Sequence, residues 1–360
     1  MPGIWKSRHR RLLWWLVCMQ ALYPGRKTLE ELARWTPGSI TAWRWRRVRK
    51  AAYWHIHRRV EWWGQEAFHT LPPPKDGTRY LGGDGRVQPK RGTQHPVAHK
   101  GRKSEQQPGL GGVRFALVSA TWESSRFPVA FRLMRPKTHL AYRTAKALFR
   151  EMVSHVVPPA WATRVMVTGA AAYGSHENRQ MVRKRDAADP ARRWGLVCAL
   201  ARTWHTVEEK AIKDWVTHVP RKYDQRVRVS RLSGTKGCKT FWVSSTRLCL
   251  RHVGDVTVVL RKKGRNVGPK QTKILVTNLD EWSPRQVVGA YQRRWPVEQI
   301  NRDLKTDLGL GAHQVRGEEG RIENAFGRAG LAYLLLIRAC HQEMLPGTSW
   351  SIAPLQQVLR

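Results

Sequence analysis

The chain has 360 residues, with 65 Lys and Arg against 26 Asp and Glu, a formal net charge of +39 and a pI near 11.2. Such a charge opposes compaction unless a polyanion neutralises it, so nucleic acid is the expected partner and an anionic membrane surface its rival. Five scattered cysteines without a C-x-x-C pair exclude a disulfide framework and a zinc finger, and favour a reducing compartment.

The first 68 residues read as helical. The run LLWWLVCMQALY (12–23) behind a basic start resembles a signal peptide, but it is too short to span a bilayer and lacks a small-residue cleavage site. Thr28 to Glu31 has the T-x-x-E form of a capping box, opening a helix to about Trp35. After the turn TPGS, a second helix over 40–54 carries Arg44, Arg46, Arg47, Arg49 and Lys50. Helix, short turn and basic helix is a helix-turn-helix outline, expected to contact DNA. Nine of the 18 tryptophans fall in residues 1–63, where basic residues interleaved with aromatics suit phosphate neutralisation combined with stacking. The alternative is a small helical domain that uses Trp as core.

TLPPPKDGTR (70–79) reads as a linker, followed by YLGGDG and a loop rich in Gly and Lys. Strands are expected over 113–122 and 127–134, then a helix over 139–156 stopped by a Pro pair. A short apolar strand follows at 164–169, a helix that Ser175 caps, and a strand at 194–201. This order describes an α/β arrangement with a mixed sheet. Residues 205–282 hold strands TFWVSSTRLCL, DVTVVL and KILVTNL between basic turns, a β-rich insertion. Ser283 to Gln286 supplies an N-cap, a Pro at the first helical position and a Gln for a capping box. A last apolar helix is expected over 330–340.

The helix begun at Ser283 contains YQRRWPVEQINRDLK (291–305). At 100° per residue, Tyr291, Arg294, Glu298 and Lys305 fall within about a 60° arc of one face. Pro296 should kink the helix or restart it there; a restart puts Glu298 in a first turn, where the positive helix end favours a carboxylate. Taken alone, this is an exposed helix with an Arg294–Glu298 pair.

Tyr, two residues, Arg, three residues, Glu, six residues, Lys nevertheless resembles the signature of bacterial insertion-sequence DDE transposases of the Tyr-Arg-Glu-Lys group, the IS-four-like enzymes. LVTNL before the helix, DLGLGAHQVR after it, YLGGDG with KRG near residue 84, and AAYGS near residue 173 extend the resemblance over roughly residues 78–340. It implies a ribonuclease-H-like mixed-sheet core in two parts, 78–204 and 283–345, interrupted by the β-rich insertion 205–282. An all-α DNA-binding region (1–70) would precede it, and a tail (346–360) follow. It further implies three carboxylates holding two Mg²⁺ or Mn²⁺ ions for in-line phosphoryl transfer.

Asp84, at the end of an expected strand, matches the first acid of that family and Glu298 the third, so both are the expected catalytic and metal-binding residues. Tyr291, Arg294 and Lys305 match positions that hold the DNA end. Lys90 and Arg91 follow Asp84 in its loop and are further expected DNA contacts. Trp242 is another, by stacking on a flipped base, with packing inside the β layer as the alternative reading. The second acid falls at Ala170, whose methyl group binds no metal, and neither Asp186 nor Asp189 is placed to substitute, since both are expected after the following helix. His95 and His99 have ligand-like spacing but read as solvated loop histidines.

The implied activity is cut-and-paste transposition, with recognition of terminal inverted repeats of double-stranded DNA. Metal-dependent cleavage and strand transfer would be impaired at Ala170. A homodimer on DNA, no membrane partner, and a cytoplasmic, nucleoid-associated bacterial location follow from the same resemblance. The alternative is a non-catalytic, sequence-specific DNA-binding protein on the same scaffold.

Overall fold

The computed structural model describes residues 7–23, 34, 55–89, 97–99, 112–122, 125–230, 237–251, 253–310 and 319–342. The expected helix-turn-helix with Arg44, Arg46 and Arg47, the loop positions Lys90, Arg91 and His95, and the tail 346–360 lie outside them.

Strands β1 (Thr78–Pro89), β2 (Gly112–Trp122), β3 (Ser125–Met134), β4 (Arg164–Gly169), β5 (Arg193–Ala199), β6 (Gln225–Ser230), β7 (Cys238–Leu250), β8 (Gly254–Lys262) and β9 (Lys273–Thr277) form one sheet. Its order is β3-β2-β1-β4-β5-β9-β8-β7-β6. β1, β4 and β5 run parallel; the other neighbours are antiparallel. The parallel centre explains the unbroken apolar run of β4, since both of its faces are covered. The strands of 205–282 continue this same sheet through the β5–β9 pairing. Sequence reasoning missed β6, whose alternation is too charged to show a buried face, and the helix Ile212–His218.

The remaining helices are α1 (Ser7–Leu22), α2 (Ile56–Thr70), α3 (Ala145–Ser154), α4 (His176–Ala188), α6 (Pro284–Gln292), α7 (Pro296–Thr306) and α8 (Glu319–Gln342), with Ile212–His218 as α5. α3 begins six residues later than expected. Thr144 caps it by accepting from the Ala147 N–H, while His139 and Tyr142 close tight turns before it. The signal-like run lies within α1: Leu13, Leu16, Val17 and Ala21 are buried, the helix packs on α8, and Gln20 Nε2 donates to the Leu308 carbonyl at 2.8 Å. Among the described residues, no helix is long and apolar enough to cross a membrane.

Consecutive residues of β1 address opposite faces of the sheet. A Cβ on Gly82 would meet the Arg294 carbonyl, whereas one on Gly83 would overlap the Phe149 ring of α3. Gly83→Ala is therefore expected to destabilise the fold by about 1–3 kcal/mol through overpacking. Denaturant titration checks it; an unchanged midpoint contradicts the packing described.

Candidate active site and cationic groove

Parallel pairing of β1 with β4 ends at Gly83 opposite Gly169, so Asp84 and Ala170 are the next residues along two adjacent strands. Asp84 was expected at a strand end. Instead β1 continues to Pro89 because β2 stays paired with it, Asp84 lying opposite Leu117. Only the parallel pairing stops there. β4 itself ends at Gly169, and the carbonyl of the next residue, Ala170, accepts the Tyr173 N–H at 2.9 Å in a single 3-10 turn. Burial, then the nearby Asp84 and Cys198, push the Tyr173 phenol above its ordinary range. Burial likewise pushes the Cys198 thiol up to about 12, making it a core residue and no nucleophile.

The helix from Ser283 forms its full capping box, then stops at Gln292. Pro296 does not kink a continuous helix; it opens a new one, α7, and Glu298 occupies the first turn. The single arc expected for Tyr291, Arg294, Glu298 and Lys305 is therefore split. Tyr291 is buried at the end of α6, with Arg261, Lys273 and Arg294 around its ring at 5.8 Å each. Lys305 is exposed in the last turn of α7. Arg294 and Glu298 do pair across the break. Burial works against the Arg294 charge, yet Tyr291, Glu298 and Asp84 together hold its pKa above the ordinary value.

Hydrogen bonds anchor α7 on both sides. On one, buried Asp303 accepts from Arg126 of β3 at 3.3 Å and from the Tyr333 hydroxyl of α8 at 3.4 Å. On the other, Asn301 Nδ2 donates to Asp84 Oδ2 at 3.2 Å, joining residues 217 positions apart. Asp84, Ala170, Arg294, Glu298 and Asn301 thus belong to one neighbourhood at the centre of the sheet. Asn301 was not singled out from sequence, although its place one turn after Glu298 was visible.

Beside this cluster an open groove of about 860 Å³ runs between β7–β9 and the α6–α7 break. Lys239, Arg261, Lys263, Lys273 and Arg294 line it, with no carboxylate among the described residues of its walls, and Trp295 at its edge is 56% exposed. Arg261 and Lys273 are direct cross-strand partners, a like-charge pair that costs free energy in the isolated protein. Trp242 is half-buried outside this lining, and its ring carries the Arg265 guanidinium at 5.3 Å. His99 is engaged by the Met134 carbonyl at 2.8 Å, so it is not a solvated loop residue. Asp186 and Asp189 bind Arg193 and Arg192 at the opposite ends of the strands from Ala170. Asp186 falls within α4, not after it.

A family model described as Transposase DDE domain matches residues 91–335. The chain belongs to that family. The match takes in Ala170 and Glu298 and begins just after Asp84. DDE transposases are DNA phosphoryl-transfer enzymes, which suits the cationic groove. Among solved structures, the chain is similar to a piggyBac transposase in the cryo-EM structure of its synaptic complex with hairpin DNA. The TM-score is 0.53 at 12% identity, over 100% of this chain and 72% of that one, a likeness of fold. No curated protein matches the chain.

Proposed function

We propose that this transposase-family chain binds double-stranded DNA along the groove and presents it to Asp84 and Glu298 for cut-and-paste transposition at terminal inverted repeats. The strand order β3-β2-β1-β4-β5 supports a ribonuclease-H-like core over 78–204 and 283–345, with 205–282 as its insertion and 1–70 as the helical DNA-binding region. The spacing of Tyr291, Arg294, Glu298 and Lys305 supports the Tyr-Arg-Glu-Lys group. The observation that carries the reading is the meeting of Asp84 with the α7 helix of Glu298, through Asn301, beside Ala170.

Two divalent ions require a third carboxylate in this neighbourhood. Ala170 brings a methyl group, and among the described residues no three His, Cys, Asp or Glu side chains are grouped to hold a metal. The donor set does not fit the expected Mg²⁺ or Mn²⁺ pair, so the chain is impaired for cleavage and transfer as it stands. Its own residues perform the earlier part of the task. Lys239, Lys263 and Lys273 attract the phosphate backbone, Arg261 and Arg294 offer planar donors to phosphate oxygens, and exposed Trp295 offers a face to the nucleotide beside Glu298. Two DNA ends joined at one target imply a homodimer on DNA. A bacterial, nucleoid-associated chain suits the charge.

Ala170 also favours a second reading, a DNA-binding protein without catalysis. Both readings expect tight duplex binding whose logarithmic slope against salt is steep, about −0.9 per phosphate neutralised. Fluorescence anisotropy over a salt series measures it; weak, salt-independent binding contradicts both.

A further inference from the structure

Consecutive residues of a strand face opposite sides of its sheet, so the strands that wall the groove also have a reverse side. Phe241 of β7 lines the groove; Trp242, the next residue, does not. Arg226 of β6 is the direct partner of Trp242 and Arg228 that of Thr240, whereas Val227 pairs with Phe241. Arg226, Arg228 and Trp242 therefore share the side turned away from the groove. Arg265, in the β8–β9 connection, lays its guanidinium on the Trp242 ring at 5.3 Å and so joins them. Tyr223 borders the same side, sharing a cavity with Ser244, Thr246 and Leu260, and is 58% exposed. The Asp224 carboxylate also belongs there, but it is buried and bound to Lys262 at 2.7 Å. Arg226, Arg228 and Arg265 are exposed, and among the described residues none of them is paired with a carboxylate. Cations on an open edge strand guard it against pairing with other chains, and β6 is such an edge. That duty needs nothing further inboard. Trp242 and Arg265 carry the ring and the charge across the neighbouring strands, and an arginine stacked on an aromatic keeps its donors free for phosphate oxygens.

We propose that the reverse side of β6–β8 is a second DNA-binding surface, which takes the phosphate backbone of a duplex separate from the one in the groove. This rests on the reading of DNA as the partner and goes beyond it: the chain holds two duplexes at once, one on each side of the same strands. Arginines whose charge nothing in the chain neutralises suit a polyanion, and counterion release favours each phosphate that they contact.

Chemical modification of arginine and lysine side chains, read residue by residue by mass spectrometry with and without duplex DNA, tests this on the full-length chain. DNA is expected to protect Arg226, Arg228 and Arg265 in the parent chain, and equally in the variant whose groove is disabled by Lys239→Glu, Lys263→Glu and Lys273→Glu. Adding Arg226→Gln, Arg228→Gln and Arg265→Gln to that variant should lower its residual DNA affinity by about tenfold or more and flatten the salt dependence further. Thermal melts run alongside show that each variant is folded. Protection of Lys239, Lys263 and Lys273 while the three arginines react as in the free chain overturns the proposal and leaves the groove reading standing. Protection of the arginines that disappears once the groove is disabled overturns it too, since one duplex, or a second copy of the chain brought in by DNA, then covers both sides. Residual affinity unmoved by the three Gln substitutions has the same force. Absence of protection on either side sinks both readings.

Discussion

Ala170→Asp is expected to raise nicking of supercoiled DNA in Mn²⁺ by about 10²- to 10³-fold, the scale of losing one preorganised charge-stabilising group. The backbone at 170 is already extended, with φ −69° and ψ 174°, and the residue is half-buried beside Asp84. An aspartate there needs no unusual backbone geometry and adds a carboxylate on the strand next to that of Asp84. Arg294 lessens the repulsion among them, since it already senses Asp84 and Glu298 together. Nicking that stays at the level of the parent chain favours the non-catalytic reading.

Reversing the charge of Lys239, Lys263 and Lys273 together to Glu is expected to weaken duplex binding by about 10²-fold near physiological salt. It should also flatten the salt dependence by close to one unit of slope for each phosphate no longer neutralised. All three side chains are exposed and line one groove, so the fold should survive the change. The Arg261–Lys273 pair sharpens the expectation. Two cations opposed across the β8–β9 ladder are unfavourable until a polyanion lies over them, and Lys273→Glu alone should raise the melting temperature of the free protein. Unaltered affinity in the triple variant would place the DNA elsewhere on the molecule.

Much of this arrangement was legible because local rules agreed with the tertiary outcome. The apolar run of β4, the capping box at Ser283 and the proline that restarts the helix before Glu298 are short-range signals, and each appears where the pattern put it. The limits of α3 were not, because the turns at His139 and Tyr142 carry no Gly or Pro of their own after Pro136. β6 alternates charged residues with valine and reads as a solvated edge. That the strands of 205–282 extend the central sheet depends on β5–β9 pairing between distant segments, which no periodicity announces. The site divides in the same way. Asp84 and Glu298 came from ordered motifs, whereas the groove arises from charges on β7, β8, β9 and the α6–α7 break that only the fold assembles. Asn301 looked like one polar residue on an amphipathic helix. Its importance depends on a hydrogen bond across 217 positions.

Single-turnover nicking by Ala170→Asp, with Asp84→Asn or Glu298→Gln added one at a time, probes the shared site most directly. Three acids acting as one unit predict that either addition alone returns the rate to background, and that both together do no further harm. A double variant that cuts as fast as Ala170→Asp would show that the restored aspartate works without its supposed partners.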